Sequence, residues 1–330
     1  MDRAPASLAL GLLVPVMGLS ALAAADTTGS SGCGADRYKL VPLPLRAASI
    51  NDSGIVAGMT QKHRAALWTR TAGLREVPLP AGYANTEAVA VDKSGLLVGM
   101  AFDRTFTKHQ AFSFASGHLA WLPGDQTQAN GINASGEIVG EALLPGKNRT
   151  DPVYWSNDKL HVLDTCCGGS AKAVNKNGEI IGDAYDDKGR YHAFLWNPAG
   201  DKQPIGPPDH YSSSIALSAQ GHAVAMAFPR IYFFAGGKLE PLALSPKFPN
   251  HPRAINSCDV IVGSFGPFSD KDRAFVWEKA AGFRDLNDLI AADPDWVLQA
   301  ATSINERGEI VGYGEYKGDD DSGFLLLPQR

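Results

Sequence analysis

Ala171-Lys-Ala-Val-Asn175-Lys-Asn-Gly178-Glu-Ile-Ile-Gly182 decides the fold, because its pattern returns along the whole chain. Related stretches surround Asn51 and Gly54, Asp92 and Gly95, and Asn133 and Gly136 before it. Others surround Ser218 and Gly221, Asn256 and Asp259, and Asn305 and Gly308 after it. The anchor positions 51, 92, 133, 175, 218, 256 and 305 are 41, 41, 42, 43, 38 and 49 residues apart. A period in this range marks a solenoid or a propeller.

The motif has the chemistry of a tight β-turn. Asn, Asp or Ser at the anchor bonds forward to the backbone, and Gly three residues later supplies a positive φ. Aliphatic alternation on both sides reads as two short strands. Each motif is therefore expected to be a β-hairpin. Asp259 stands where Gly is expected, and Asp tolerates the left-handed region, so a kept but strained turn is expected there.

Each hairpin is followed by a third strand with an aromatic signature: Ala66-Leu-Trp68, Phe112-Ser-Phe114, Val153-Tyr-Trp155, Phe194-Leu-Trp196, Tyr232-Phe-Phe234, Phe275-Val-Trp277 and Phe324-Leu-Leu326. Recurrence in register makes these side chains core, not a carbohydrate platform. A fourth strand follows in six units. The seventh lacks one, while Val41-Pro42-Leu43-Pro44 near the start repeats the Val77-Pro78-Leu79-Pro80 that follows the first unit. The expectation is an all-β, seven-bladed propeller of four-stranded antiparallel blades, the last completed by an N-terminal strand. Small residues two and four positions before most anchors, such as Ser49 and Ala47, fit seven strands crowding one axis.

Here the repeats resemble the HAF family of bacterial extracellular repeat proteins. His192-Ala-Phe-Leu-Trp196 carries the signature in full, and Arg273-Ala-Phe-Val-Trp277 carries it with Arg for His. The unit around Ser218 and Phe234 is the most degraded. Asp285-Leu-Asn287, Trp296 and the run from Ala300 to Asn305 look like that family's closing unit. The resemblance covers roughly residues 38–328. It implies a propeller-like fold and export, and brings no reaction or catalytic residues.

The chain has 330 residues, 44% hydrophobic, with a formal net charge of −5 and no basic cluster, which argues against a nucleic-acid partner. Residues 1–25 read as a signal peptide: Arg3, an apolar run from Leu8 to Leu22, and Ala23-Ala24-Ala25 before Asp26. Residues 26–37 read as a flexible leader, and 38–330 as one propeller domain with no transmembrane segment. Of the four cysteines, adjacent Cys166 and Cys167 are expected to form a vicinal disulfide in an oxidising compartment, leaving Cys33 free to pair with Cys258.

Turns between first and second, and third and fourth, strands share one face of a propeller and are short here. The opposite face carries the longer loops 102–108, 143–151, 165–169, 184–190, 207–214, 245–251, 265–272 and 313–322, and long loops on a rigid scaffold are where function sits. Arg104, Tyr185, Asp186, Asp187, Phe268, Asp270, Asp272, Tyr316, Asp319, Asp320 and Asp321 are the candidate ligand-face residues. Three acidic pairs or triplets could attract a cation, although no calcium-loop spacing is present. The eight histidines show no metal-ligand spacing, and no nucleophile elbow, phosphate loop or cofactor fingerprint occurs. Asn51, Asn133 and Asn148 head sequons that read as incidental. Residues 285–292 read as one or two helical turns. The expected function is an exported binding or scaffold protein that meets a protein or glycan through its long-loop face, without a cofactor. The alternative is a secreted propeller enzyme, a polysaccharide lyase or hydrolase, which needs acids, bases or metal ligands converging at the axial mouth.

Overall fold

The computed structural model describes residues 34–163, 168–186, 188–245, 248–267 and 272–329. Among them, seven four-stranded antiparallel sheets succeed one another along the chain, and the first strands of neighbouring sheets pack side by side in a ring. Blade one spans residues 46–76, blade two 85–121, blade three 125–162, blade four 169–204, blade five 213–241 and blade six 250–285. Blade seven takes Trp296–Ile304, Ile310–Tyr316 and Asp319–Gln329, then borrows Arg37–Leu43 as its outermost strand. Arg37 lies opposite Gln329 and Leu43 opposite Gly323, so the ring is closed by the N-terminal strand. Ala35 is already buried, so the fold takes in the end of the stretch that reads as leader.

Six of the seven anchors build their turns in the same way, and the Ser218 hydroxyl keeps only the bond from the His222 amide. Asn51 Oδ1 accepts from the Ser53 and Ile55 amides, each at 2.9 Å, while the Gly54 amide donates to the Asn51 carbonyl at 3.0 Å. Gly54 has φ +77°, and Gly95, Gly136, Gly178, Gly221 and Gly308 repeat the left-handed geometry. Asp259 keeps the turn at φ +59°, the strained conformation its identity suggested.

The motif's last glycine has a separate cause. Each first strand carries a bulge three residues before its anchor, for instance between Ala47 and Ser49, which swings its backbone toward the second strand. A Cβ on Gly58 would lie 2.2 Å from the Arg46 carbonyl, and Gly99, Gly140, Gly182, Gly263 and Gly312 are equally confined. The axis is crowded, since a Cβ on Gly131 would sit 3.3 Å from the Lys172 carbonyl of the next blade. Yet Ala47, Ala88, Ala129 and Ala171 are buried between blades. The axial cavity is lined by the bulge positions Ala48, Val89, Ile215, Arg253 and Thr302 together with Ala47 and Ala88.

The aromatic stripe is core. Phe112, Phe114, Trp155, Trp196, Phe275 and Phe324 are buried, and Trp155 Nε1 donates to the Pro123 carbonyl at 2.8 Å. Truncating one to Ala would cost on the order of 3–5 kcal/mol. The helical turn expected within 285–292 is a single 3-10 turn, Leu286–Asp288, capped by Asp285, after which the Leu289 carbonyl accepts from the Tyr38 amide of the closing strand at 2.8 Å. One expectation needs correction. The loop read at 313–322 is a tight hairpin. Tyr316 faces Asp319 across Lys317 at φ +53° and Gly318 at φ +85°, a turn that continues both strands with their native twist.

Candidate functional site

The short-turn face is a hydrogen-bonded girdle. Asn51 Nδ2 donates to the Asp92 carbonyl at 2.7 Å, Asn133 to that of Asn175 at 3.0 Å, and Asn175 to that of Ser218 at 3.3 Å. Asn256 reaches Asn305 at 3.3 Å, and Asn305 reaches Asn51 at 3.0 Å across the closure. Each anchor thus builds its own turn with its oxygen and clasps the next blade with its amide nitrogen. The relay lapses after Asp92 and Ser218, which have no amide. After blade five the gap is bridged by His222 Nδ1 and Asp259, 2.7 Å apart. The oxygen role was foreseen from sequence and the amide role was not. The signal was available, since a turn alone is served equally by Asp or Ser and only Asn carries a donor.

Three hollows open on the long-loop face among the described residues. The axial mouth, about 460 Å³, is lined by Arg46, Glu87, Met59, Val89, Ile215, Pro252, Arg253, Thr302 and Tyr313, among others. Among the described residues it contains one carboxylate, Glu87, and no histidine. A second hollow of about 610 Å³ lies at the seam of blades seven and one. Two of its three acids are engaged: Asp319 accepts from Gln61 at 2.8 Å, and Asp321 pairs with Arg46 at 3.0 Å, whose guanidinium lies 3.7 Å from the Tyr313 ring centroid.

The third hollow, about 710 Å³, opens where blades three, four and five meet, and its walls include Glu141, Arg149, Thr150, Gly168, Gly169, Tyr185, Tyr191 and Tyr211. Tyr185 and Tyr191 end paired strands of blade four and meet edge to face at 4.9 Å. Tyr191 is hydrogen-bonded to Asp183, and burial together with the negative charges of Asp183 and Glu141 raises its pKa, so it stays a neutral phenol. Asp183 is buried and fixed by the Ser213 hydroxyl at 2.8 Å and by the Ser214 amide and hydroxyl at 2.6 and 2.8 Å. Burial raises the Asp183 pKa, against the pull of those hydrogen bonds. The aromatic floor is therefore held from behind. Tyr211 is 69% exposed, and the Arg149 guanidinium lies 5.3 Å from the Tyr185 ring centroid.

The structure scatters the other sequence candidates. Asp186 serves its own loop, accepting from the Lys188 and Arg190 amides and from Arg190 Nε; these bonds, led by the Arg190 amide, lower its pKa to about 2. His192, the head of the HAF signature, lies 3.4 Å from the same carboxylate. Tyr316 stacks on Trp296 at 4.9 Å, and Asp320 lies 3.5 Å from Gln299. Arg104 is exposed on its loop, and Asp272 packs close to Gly266. Asp187, Phe268, Asp270, Cys166 and Cys167 lie outside the described residues. Of the described candidates, Tyr185 alone enters the tyrosine cleft. Glu141, Arg149, Tyr191 and Tyr211 were missed, because strands and loops of three blades bring them together and no local pattern announces it. Among the described residues, no group of three or more His, Cys, Asp or Glu is arranged to hold a metal ion.

No family model matches the chain, and no curated protein matches it in sequence. Solved structures do. The chain is similar to a streptogramin B lyase, with a TM-score of 0.59 and 11% identity over 89% of this chain and 98% of that one. It is similar to virginiamycin B lyase from Staphylococcus aureus, with a TM-score of 0.58 and 12% identity over 88% and 99%. The propeller domain of the Trilobed protease from Pyrococcus furiosus, described as having an open velcro topology, matches with a TM-score of 0.53 and 13% identity over 76% and 86%. At such identities the likeness is one of fold. The chain is a seven-bladed β-propeller with a closed last blade.

Proposed function

We propose that this propeller is an exported binding protein of the HAF-repeat type, which engages a ligand or partner through its long-loop face. The carrying observation is the contrast between faces. On the short-turn face the anchor amides are engaged in clasping blade to blade. On the other, the tyrosine cleft presents Glu141, Arg149 and Tyr211 without a hydrogen bond or ion pair among the described residues. The axial mouth, with Arg46, Arg253 and Glu87 as its charged lining, does not present the converging acids, bases and histidines that the enzyme reading requires. Export is supported by the apolar leader and by Cys258, which is disulfide-bonded, a state that persists in oxidising compartments. We assign Cys33 as its partner and a vicinal pair to Cys166 and Cys167.

Site-specific photo-crosslinking in the producing cell tests the face. Probes at Arg104, Asn148 and Tyr211 should give a common adduct, and probes at Ser53, Lys93 and Asn177 on the short turns should give none. Adducts confined to the short-turn set would overturn the assignment, as would none from either.

A further inference from the structure

The tyrosine cleft has a composition that selects among ligands. Its floor is two tyrosines held in place, Tyr185 by the edge contact with Tyr191 and Tyr191 by Asp183, which three donors from Ser213 and Ser214 fix in turn. Tyr211 stands over one side, exposed and unpaired. Rigid, amphipathic rings of this kind bury the C–H face of a ligand while their hydroxyls remain available for hydrogen bonds.

Gly168, Gly169 and Gly189 contribute walls without side chains. Gly169 cannot be replaced cheaply, since a Cβ there would lie 2.2 Å from the Asp183 carbonyl. The backbone consequently approaches the cleft closely beside its aromatic floor. Two charged groups of opposite sign face this space: Glu141, an acceptor with four lone-pair directions, and Arg149, a planar donor resting near Tyr185. A ligand with a net charge would satisfy one and repel the other. A purely apolar ligand would desolvate both without replacement, which is costly. What suits aromatic faces flanked by an unengaged acceptor and an unengaged donor is a neutral, polyhydroxylated ring whose adjacent hydroxyls donate to one and accept from the other. The volume of about 710 Å³ lies within the range of small-ligand sites.

We infer that the cleft formed by Tyr185, Tyr191, Tyr211, Glu141 and Arg149 binds a neutral sugar unit of a glycan. This rests on the binding reading above and names its ligand class. Tyr211 stacks on the sugar, Glu141 accepts from its hydroxyls and Arg149 donates to them.

Affinity electrophoresis of the mature protein tests the inference, in native gels cast with dextran, laminarin or xyloglucan as neutral probes and sodium alginate as the anionic one. At least one neutral polysaccharide should retard the wild type. Tyr211→Ala and Glu141→Gln, both at accessible positions, should melt like the wild type and weaken retardation roughly tenfold, the loss expected of an aromatic anchor or a charged hydrogen bond. Retardation by alginate alone, or undiminished in both variants, would overturn the inference. So would no retardation in any gel. If adducts from the Arg104, Asn148 and Tyr211 probes survive that last result, the sugar is wrong and the binding face stands; if they vanish too, both fall.

Discussion

At the scale of the residue, the anchor asparagine does two jobs that sequence reasoning separates unevenly. Its oxygen shapes the turn of its own blade, and Asp or Ser can do the same, as Asp92 and Ser218 show. Its amide nitrogen satisfies a buried carbonyl of the next blade, which neither substitute can do. Asp92→Asn should therefore install the missing clasp toward blade three and stabilise the protein by about 1 kcal/mol, the net value of one such hydrogen bond. Asn133→Asp should remove a clasp and cost about as much, by stranding the Asn175 carbonyl. Urea unfolding of the two variants reads both signs, and a neutral or destabilising Asp92→Asn would refute the account. Asn and Gly positions, and with them the seven turns, were legible because turn chemistry is local. The lateral clasp was not, because its acceptor lies roughly 40 residues away in sequence, in the next repeat.

At the scale of the element, strands were legible from period-two alternation and the aromatic stripe, and the closing strand from a fourth strand absent at one end and present at the other. The hairpin at Lys317 and Gly318 escaped because its acidic run, Asp319 to Asp321, reads as loop chemistry although the residues are strand. The tyrosine cleft escaped because it belongs to no single element. The closing strand carries its own prediction. The Gly34 backbone abuts Glu278 of blade six, and Arg284 of the same blade donates to the Ala35 carbonyl at 3.1 Å. Cys258 occupies the first turn of that blade, on the face shared with the turn near Glu278, and is disulfide-bonded. Cys33, one residue before Gly34 in sequence, is its natural partner, whereas Cys166 and Cys167 fall between the blade-three and blade-four segments of the chain. Non-reducing peptide mapping should return a Cys33–Cys258 link, and Cys33→Ser should lower stability by about 2–4 kcal/mol. A Cys258 link to Cys166 or Cys167 would end this assignment.

At the scale of the whole molecule, the ring is closed without a peptide bond inside blade seven, where Arg37–Leu43 pairs with the C-terminal strand. The closing strand then runs straight into Arg46–Ile50, and side chains add to that link between blades seven and one. Asn305 clasps the Asn51 carbonyl, Arg307 donates to the carbonyl of Asp52, and Arg70 of blade one reaches Glu309 of blade seven at 2.7 Å. Glu309 is buried and also accepts from Asn305 at 2.7 Å, so one carboxylate gathers donors from both sides of the seam. Burial alone would raise its pKa; the hydrogen bonds from Arg307 and Asn305 and the charges of Arg307 and Arg70 outweigh it and lower the pKa below 4.5. A depressed carboxylate contributes stability that is fully present above its unfolded pKa and lost as pH falls through the folded value. Glu309→Gln should therefore lower stability by about 2 kcal/mol near neutral pH, the scale of a hydrogen-bonded charge. The gap between variant and wild type should close on acidification below about pH 4.5, because protonation disarms the wild-type carboxylate in the same way. Urea midpoints of the pair, followed from neutral pH into acid, measure this directly. A gap that stayed constant through the acid range would mean that Glu309 supports the seam by shape and not by charge.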